Sequence, residues 1–176
     1  MNKTTVYVWD PLVRIAHWLL AACVLVNLTG LVEEGEMWHR YIGYTACAVV
    51  AVRLLWGLVG SRHARFSDFW PTPARLKAHW QHMQNREPDP HHGHNPFGAI
   101  MMLALWAVVL MLGASGYLMG TDRFFGEEWL QEIHEVLANS LIVLIAIHIL
   151  AAIGMSLYTR VNLPRAMITG RKNLPD

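Results

Sequence analysis

Two histidines, His134 and His148, lie fourteen residues apart, one at the mouth and one in the middle of an apolar stretch running from Glu135 to Thr159. In a helix that spacing places the imidazoles about 21 Å apart along the axis and only about 40° apart around it. One helix therefore offers two ligands on nearly one face at two depths of a bilayer. A neutral imidazole in hydrocarbon is costly unless something takes its lone pair, and intramembrane ionisable residues mark function by default. Two of them stacked in this way predict two metal centres. His17, about two turns into a first predicted helix, and His39, at the outer end of a second, are the candidates to complete them.

The elements that must position these residues follow from composition. Of the 176 residues 54% are hydrophobic and 15% charged, which argues against a soluble domain. Uncharged runs long enough to cross about 30 Å of hydrocarbon extend from Ile15 to Val32, from Tyr41 to Ser61 with one break at Arg53, from Asn95 to Thr121, and from Val136 to Thr159. They predict an all-α membrane protein, a bundle of four transmembrane helices forming a single domain over 1–176. The first run follows Lys3 and Arg14 as a signal peptide would. It is too long for one, contains His17 and Trp18, and has no small-x-small cleavage site before Glu33, so it is expected to stay in the mature protein. Cys23 and Cys47 fall inside predicted spans without a Cys-x-x-Cys spacing and read as apolar fillers.

Twelve of the fourteen Lys and Arg residues fall in the N-terminal arm, at the end of the second run (Arg53), in the 62–94 connection and in the C-terminal tail. Arg40 and Arg123 alone occupy the other two loops, which carry Glu33, Glu34, Glu36, Asp122, Glu127, Glu128 and Glu132. The positive-inside rule then puts both termini and the 62–94 connection in the cytoplasm. No basic patch with interleaved aromatics points to nucleic acid.

Asp10-Pro11 predicts the start of the first helix, a capping carboxylate followed by proline at the first helical position. Taken alone, His17 also reads as an interfacial histidine beside the aromatic-belt residue Trp18. Gly43 lies one turn below His39 and removes bulk on that face, either for a flat macrocycle or for close helix packing. Arg53 follows His39 by fourteen residues and shares its face at the opposite depth; its guanidinium calls for an anionic partner such as a haem propionate, or for snorkelling to the headgroups. In the 62–94 connection, residues 73–86 predict a short amphipathic surface helix with Leu76 and Trp80 toward lipid. His63, His79 and His82, and the tract His91, His92 and His94, read as solvated loop. Asn95-Pro96 caps the third long helix, where Gly113, Gly116 and Gly120 leave a bare strip for a helix or a ligand.

Depth decides the pairing. His134 and His148 are too far apart on one helix to share a metal ion, and His17 and His39 occupy opposite ends of adjacent helices. The assignment left is His17 with His148 and His39 with His134. Two imidazoles without cysteine or carboxylate suit haem iron better than structural zinc, which takes four protein ligands.

The runs His39-Arg40-Tyr41-Ile42-Gly43-Tyr44, Arg53-Leu54-Leu55-Trp56-Gly57-Leu58-Val59-Gly60-Ser61 and Ala64-Arg65-Phe66, with Arg14-Ile15-Ala16-His17-Trp18, His134-Glu135 and His148, resemble the prokaryotic cytochrome b561 and Ni,Fe-hydrogenase b-type cytochrome family. That resemblance covers most of the chain. It implies two stacked b haems held by His17, His148, His39 and His134, with Arg53, Gly43 and Arg40 beside them. It further implies electron exchange between a quinone (ubiquinone or menaquinone) in a bacterial inner membrane and a periplasmic redox protein, a c-type cytochrome or a hydrogenase-like partner. Superoxide:quinone oxidoreduction is a second expectation from the same resemblance, with Arg40 and Arg123 as the cations available to an anion. A histidine-lined metal transporter is a third, from a different class. It meets mostly Leu, Val and Ile between His134 and His148, with only Asn139 and Ser140 polar.

Overall fold

A computed structural model describes residues 4–85 and 93–174. His91 and His92 lie outside the described residues. The elements in chain order are a strand β1 (Thr4–Tyr7), helices α1 (Pro11–Leu28) and α2 (Met37–Val59), a 3-10 turn (Arg62–Ala64), short helices α3 (Phe66–Phe69) and α4 (Pro73–Asn85), helices α5 (Pro96–Met119), α6 (Glu128–Thr159) and α7 (Leu163–Thr169), and a strand β2 (Arg171–Leu174). Of these α1, α2, α5 and α6 are long and apolar enough to cross a membrane. Their outward faces carry what a water-soluble fold would hide: Leu58 is 68% exposed, Leu150 69% and Leu157 77%. Lipid is the solvent that makes such surfaces stable, since every backbone polar group within each helix is already satisfied internally.

The helix starts follow the capping chemistry of the sequence. Asp10 Oδ1 accepts from the Val13 amide at 2.9 Å ahead of α1, and Asn95 Oδ1 accepts from the Gly98 amide at 2.6 Å ahead of α5. The fourth long helix departs from expectation. It begins at Glu128, two turns before the apolar run, because Glu128, Gln131, Glu132 and Glu135 continue the helix beyond the hydrocarbon. Hydropathy alone does not register those turns.

The chain divides into two compact units. The first comprises Met1–Ile15, Leu54–Leu103 and Ile147–Asp176. In it β1 and β2 pair antiparallel, Thr4 opposite Leu174 and Tyr7 opposite Arg171, so the two ends of the chain clasp each other. Gly170 turns α7 into β2 with φ 79°, and its carbonyl accepts from both Val8 and Trp9 amides. Any side chain there would press on the Trp9 carbonyl as well as require left-handed backbone. Lys172 donates to the Gly93 carbonyl at 3.1 Å and lies over the Trp9 ring, while His94 packs between Trp9 and Phe69. Tyr158 on α6 donates to the Met83 carbonyl of α4 at 2.6 Å.

Asp10 is the hub of this unit. Besides capping α1, its Oδ2 accepts from Trp56 Nε1 at 3.0 Å and from the Ser61 hydroxyl. The ring of Phe66 fills the space that a side chain on Gly57 would take. The Trp-Gly…Ser element thus ties the end of α2 to the start of α1 and seats the chain as it enters α3. The solvated-loop reading of the connection is corrected in part: His63 pairs with Asp68 at 3.0 Å, and His79, on α4, is 5% exposed against Phe97. A polar composition conceals those contacts. Trp80 remains exposed on α4 as expected.

Asp10→Ala removes three acceptor interactions at once and is expected to cost about 1–3 kcal/mol. Thermal unfolding in detergent should show it, with Asp10→Asn, which keeps a carbonyl oxygen for the Val13 amide, losing less.

Candidate metal centre

The second unit comprises Ala16–Arg53 and Ala104–Ala146 and contains His39 and His134. His39 stands in the first turn of α2 and His134 in the second turn of α6, inside that helix and not at its mouth. Their ring centroids are 6.3 Å apart and the planes are inclined at 58°. Two imidazoles on opposite sides of one metal ion, each with its nitrogen about 2.0–2.1 Å away and its ring centre about 1.1 Å further, would stand about 6.3 Å apart. The rings are tilted relative to one another, at a separation that two ligands of one ion could take. His39 Nδ1 is buried and meets no hydrogen-bonding partner among the described residues.

His134 is held from behind. Ser115 on α5, 5% exposed, places its Oγ 2.8 Å from His134 Nδ1 and 3.1 Å from the Leu112 carbonyl. A hydroxyl has one proton, and the carbonyl can only accept it. With a metal on Nε2 the ring proton sits on Nδ1, and Ser115 Oγ can then accept it while donating its own proton to the Leu112 carbonyl. Sequence reading missed Ser115 because nothing in a serine's own neighbourhood names a partner on another helix. Asn27 on α1 was missed as well; its Nδ2 donates to the His39 carbonyl at 3.0 Å.

The glycine strip of α5 is filled by side chains from the neighbouring helices. A side chain at Gly113 would collide with the Cys47 sulfur, and one at Gly120 with the Arg40 guanidinium. At Gly116 a β-carbon would stand 3.5 Å from His134 Cε1. The strip lets α2 and α6 bring Cys47, His134 and Arg40 close to the α5 backbone. Cys47 Sγ also lies 3.6 Å from the Val109 carbonyl. Gly43 is not tightly packed, since a β-carbon there would meet only the Asn27 amide at 3.7 Å. Arg53 is 4% exposed, with its guanidinium 5.5 Å from the centroid of the Trp106 ring.

His17 packs edge-on against Trp18, with centroids 5.0 Å apart. It belongs to the second unit, and His148, half-buried on α6, to the first. Their pairing rests on the depth argument from sequence. Among the described residues no three His, Cys, Asp or Glu side chains gather as around a structural metal ion.

Residues 8–170 match the family model described as prokaryotic cytochrome b561. Curated relatives named as probable Ni/Fe-hydrogenase B-type cytochrome subunits include that of Bradyrhizobium diazoefficiens, 24% identical over an alignment covering 100% of this chain and 89% of that protein. Those of Azotobacter vinelandii (25% identical, 99% and 91% covered) and Rhodobacter capsulatus (25%, 99% and 84%) are similar to it as well. The first alignment runs over 222 positions against 176 residues here, so that relative carries segments without a counterpart in this chain. No solved structure matches.

The seating of α2 on α5 is open to a direct check. Gly113→Ala should destabilise the protein by about 1–3 kcal/mol through overpacking against Cys47. Adding Cys47→Ala should recover most of the loss, giving a favourable coupling in a double-mutant cycle read by unfolding in detergent.

Proposed function

The chain belongs to the prokaryotic cytochrome b561 family, a family of membrane b-type cytochromes, and on that premise we propose that it is a di-haem electron carrier exchanging electrons with quinone and with a periplasmic redox protein. The observation that carries this reading is the His39/His134 pair, spaced for one metal ion between them, with Ser115 against Nδ1 of His134 so that Nε2 would take the metal. Haem held by two imidazoles has no open position on iron and supplies one-electron transfer.

The chain's own residues do the rest. His39 and His134 would hold one haem from α2 and α6. His17 and His148 would hold the other, on the argument of matched depth along α1 and α6. Arg40, whose guanidinium rests against Gly120, would neutralise a propionate of the first haem, and Arg53, buried beside Trp106, one of the second. Gly43 leaves open space on the His39 face of α2. The exposed leucines and isoleucines of the four spans keep water and ions away from the haems, so that electrons cross an otherwise insulating layer.

The placement of Lys and Arg supports cytoplasmic termini, a cytoplasmic 62–94 connection and a bacterial inner membrane, with the His39/His134 haem on the periplasmic side. That haem faces the partner. The names of the relatives support a hydrogenase-like protein, and the segments this chain lacks relative to them favour a smaller partner such as a c-type cytochrome. The other haem meets the quinone, ubiquinone or menaquinone.

A second reading rests on Arg40, an exposed cation one helical turn along α5 from the position facing His134. It can draw a small anion to the haem edge, which would make the protein a superoxide:quinone oxidoreductase. Mixing the oxidised protein with superoxide decides this: prompt haem reduction supports it, and an unreactive haem eliminates it.

Reduced-minus-oxidised spectra of the purified protein should show b-type bands with about two haems per chain. His39→Ala and His134→Ala should each remove the same haem, and His17→Ala and His148→Ala the other. A chain that folds fully without haem, or a His17 variant that keeps both centres six-coordinate, would contradict the assignment.

A further inference from the structure

Of the two imidazoles in the His39/His134 pair only His134 has its Nδ1 held, and the group that holds it is itself fixed. Ser115 is 5% exposed, with its Oγ 3.1 Å from the Leu112 carbonyl and 2.8 Å from His134 Nδ1, so that with a metal on Nε2 it can accept from Nδ1–H and donate to the carbonyl. A β-carbon at Gly116, next in sequence, would stand in ordinary van der Waals contact with the same ring, 3.5 Å from Cε1. Such a relay does two things to a ligand. It fixes the ring's tautomer and rotation, so that Nε2 points away from α5, and it shifts electron density toward Nε2 by partly withdrawing the proton on the far nitrogen. A more basic imidazole favours the oxidised, more highly charged iron over the reduced one.

We propose that Ser115 is a positioning residue for His134 that lowers the reduction potential of the haem held by His39 and His134. This rests on the haem assignment above. His39 offers no compensating interaction, because its Nδ1 meets no partner among the described residues. Hydrogen bonding to the far nitrogen of a ligand at that centre is therefore supplied by a hydroxyl on α5, a helix that supplies no ligand of its own.

The test is a potentiometric titration of the purified, haem-loaded protein, the relevant component being the one lost in His39→Ala. In Ser115→Ala that component should shift toward the reduced form, by up to about tenfold in the reduced-to-oxidised ratio at fixed poise, or about 59 mV for one electron. The other haem should hold its position, and Ser115→Thr should return the shifted component toward its original place. Nitrogen NMR of the ferrous protein with labelled histidine gives a reading without mutation at position 115: the His134 ring should be protonated at Nδ1. An unshifted component in Ser115→Ala, an equal shift of both haems, or a His134 ring without a proton at Nδ1 would overturn the proposal. A preparation that retains no haem at this pair would instead overturn the ligand assignment, so the two failures are distinguishable.

Discussion

A polar ring inside hydrocarbon has to be satisfied by the protein on one side if it is to offer a lone pair on the other, and His134 meets that condition. Ser115 Oγ lies within hydrogen-bonding reach of both the Leu112 carbonyl and His134 Nδ1, which would hold the ring from behind while Nε2 bound a metal. Much of the second unit arranges itself around that relay. Gly113, Gly116 and Gly120 strip α5 of bulk, and Cys47, His134 and Arg40 occupy the space. Asn27 braces the carbonyl of His39, and the second imidazole stands at the distance a shared metal ion requires.

The first unit does mechanical work. The β1/β2 clasp, Gly170 and Lys172 join the two ends of the chain, and Asp10 gathers the Val13 amide, Trp56 and Ser61. The Arg-x-x-Trp-Gly stretch that identifies the family is, in its Trp56 and Gly57, largely architecture: an indole donating to a buried carboxylate and a gap filled by Phe66. Only Arg53 within it is proposed to serve the haem, and it lies buried against Trp106. A motif can be specific to a family because it assembles the scaffold around a cofactor without touching it.

What was legible in the sequence was whatever depends on local chemistry or on period. Asp10-Pro11 and Asn95-Pro96 cap helices as expected, and the four apolar runs are four helices. His39 and His134 stand with their ring centroids 6.3 Å apart, while the pairing of His17 with His148 rests on sequence alone. Hidden from it were the features that depend on a neighbour in space. The acidic turns from Glu128 lengthen α6 without an apolar signal, and the polar 62–94 connection buries His79 against Phe97 despite its composition. The glycine strip was visible, but its occupants were not, and Ser115 gave no sign of its partner. Its place beside Gly116, on the one long helix without a histidine, is the signal a closer reading would use.

The central claim is that imidazole, and nothing else, closes both axial positions of the haem iron. Near-infrared magnetic circular dichroism of the oxidised protein reads axial ligands directly. The account predicts charge-transfer bands of low-spin iron with two histidine ligands and no other low-spin species. Bands of histidine–methionine ligation, or of five-coordinate high-spin iron, would contradict it.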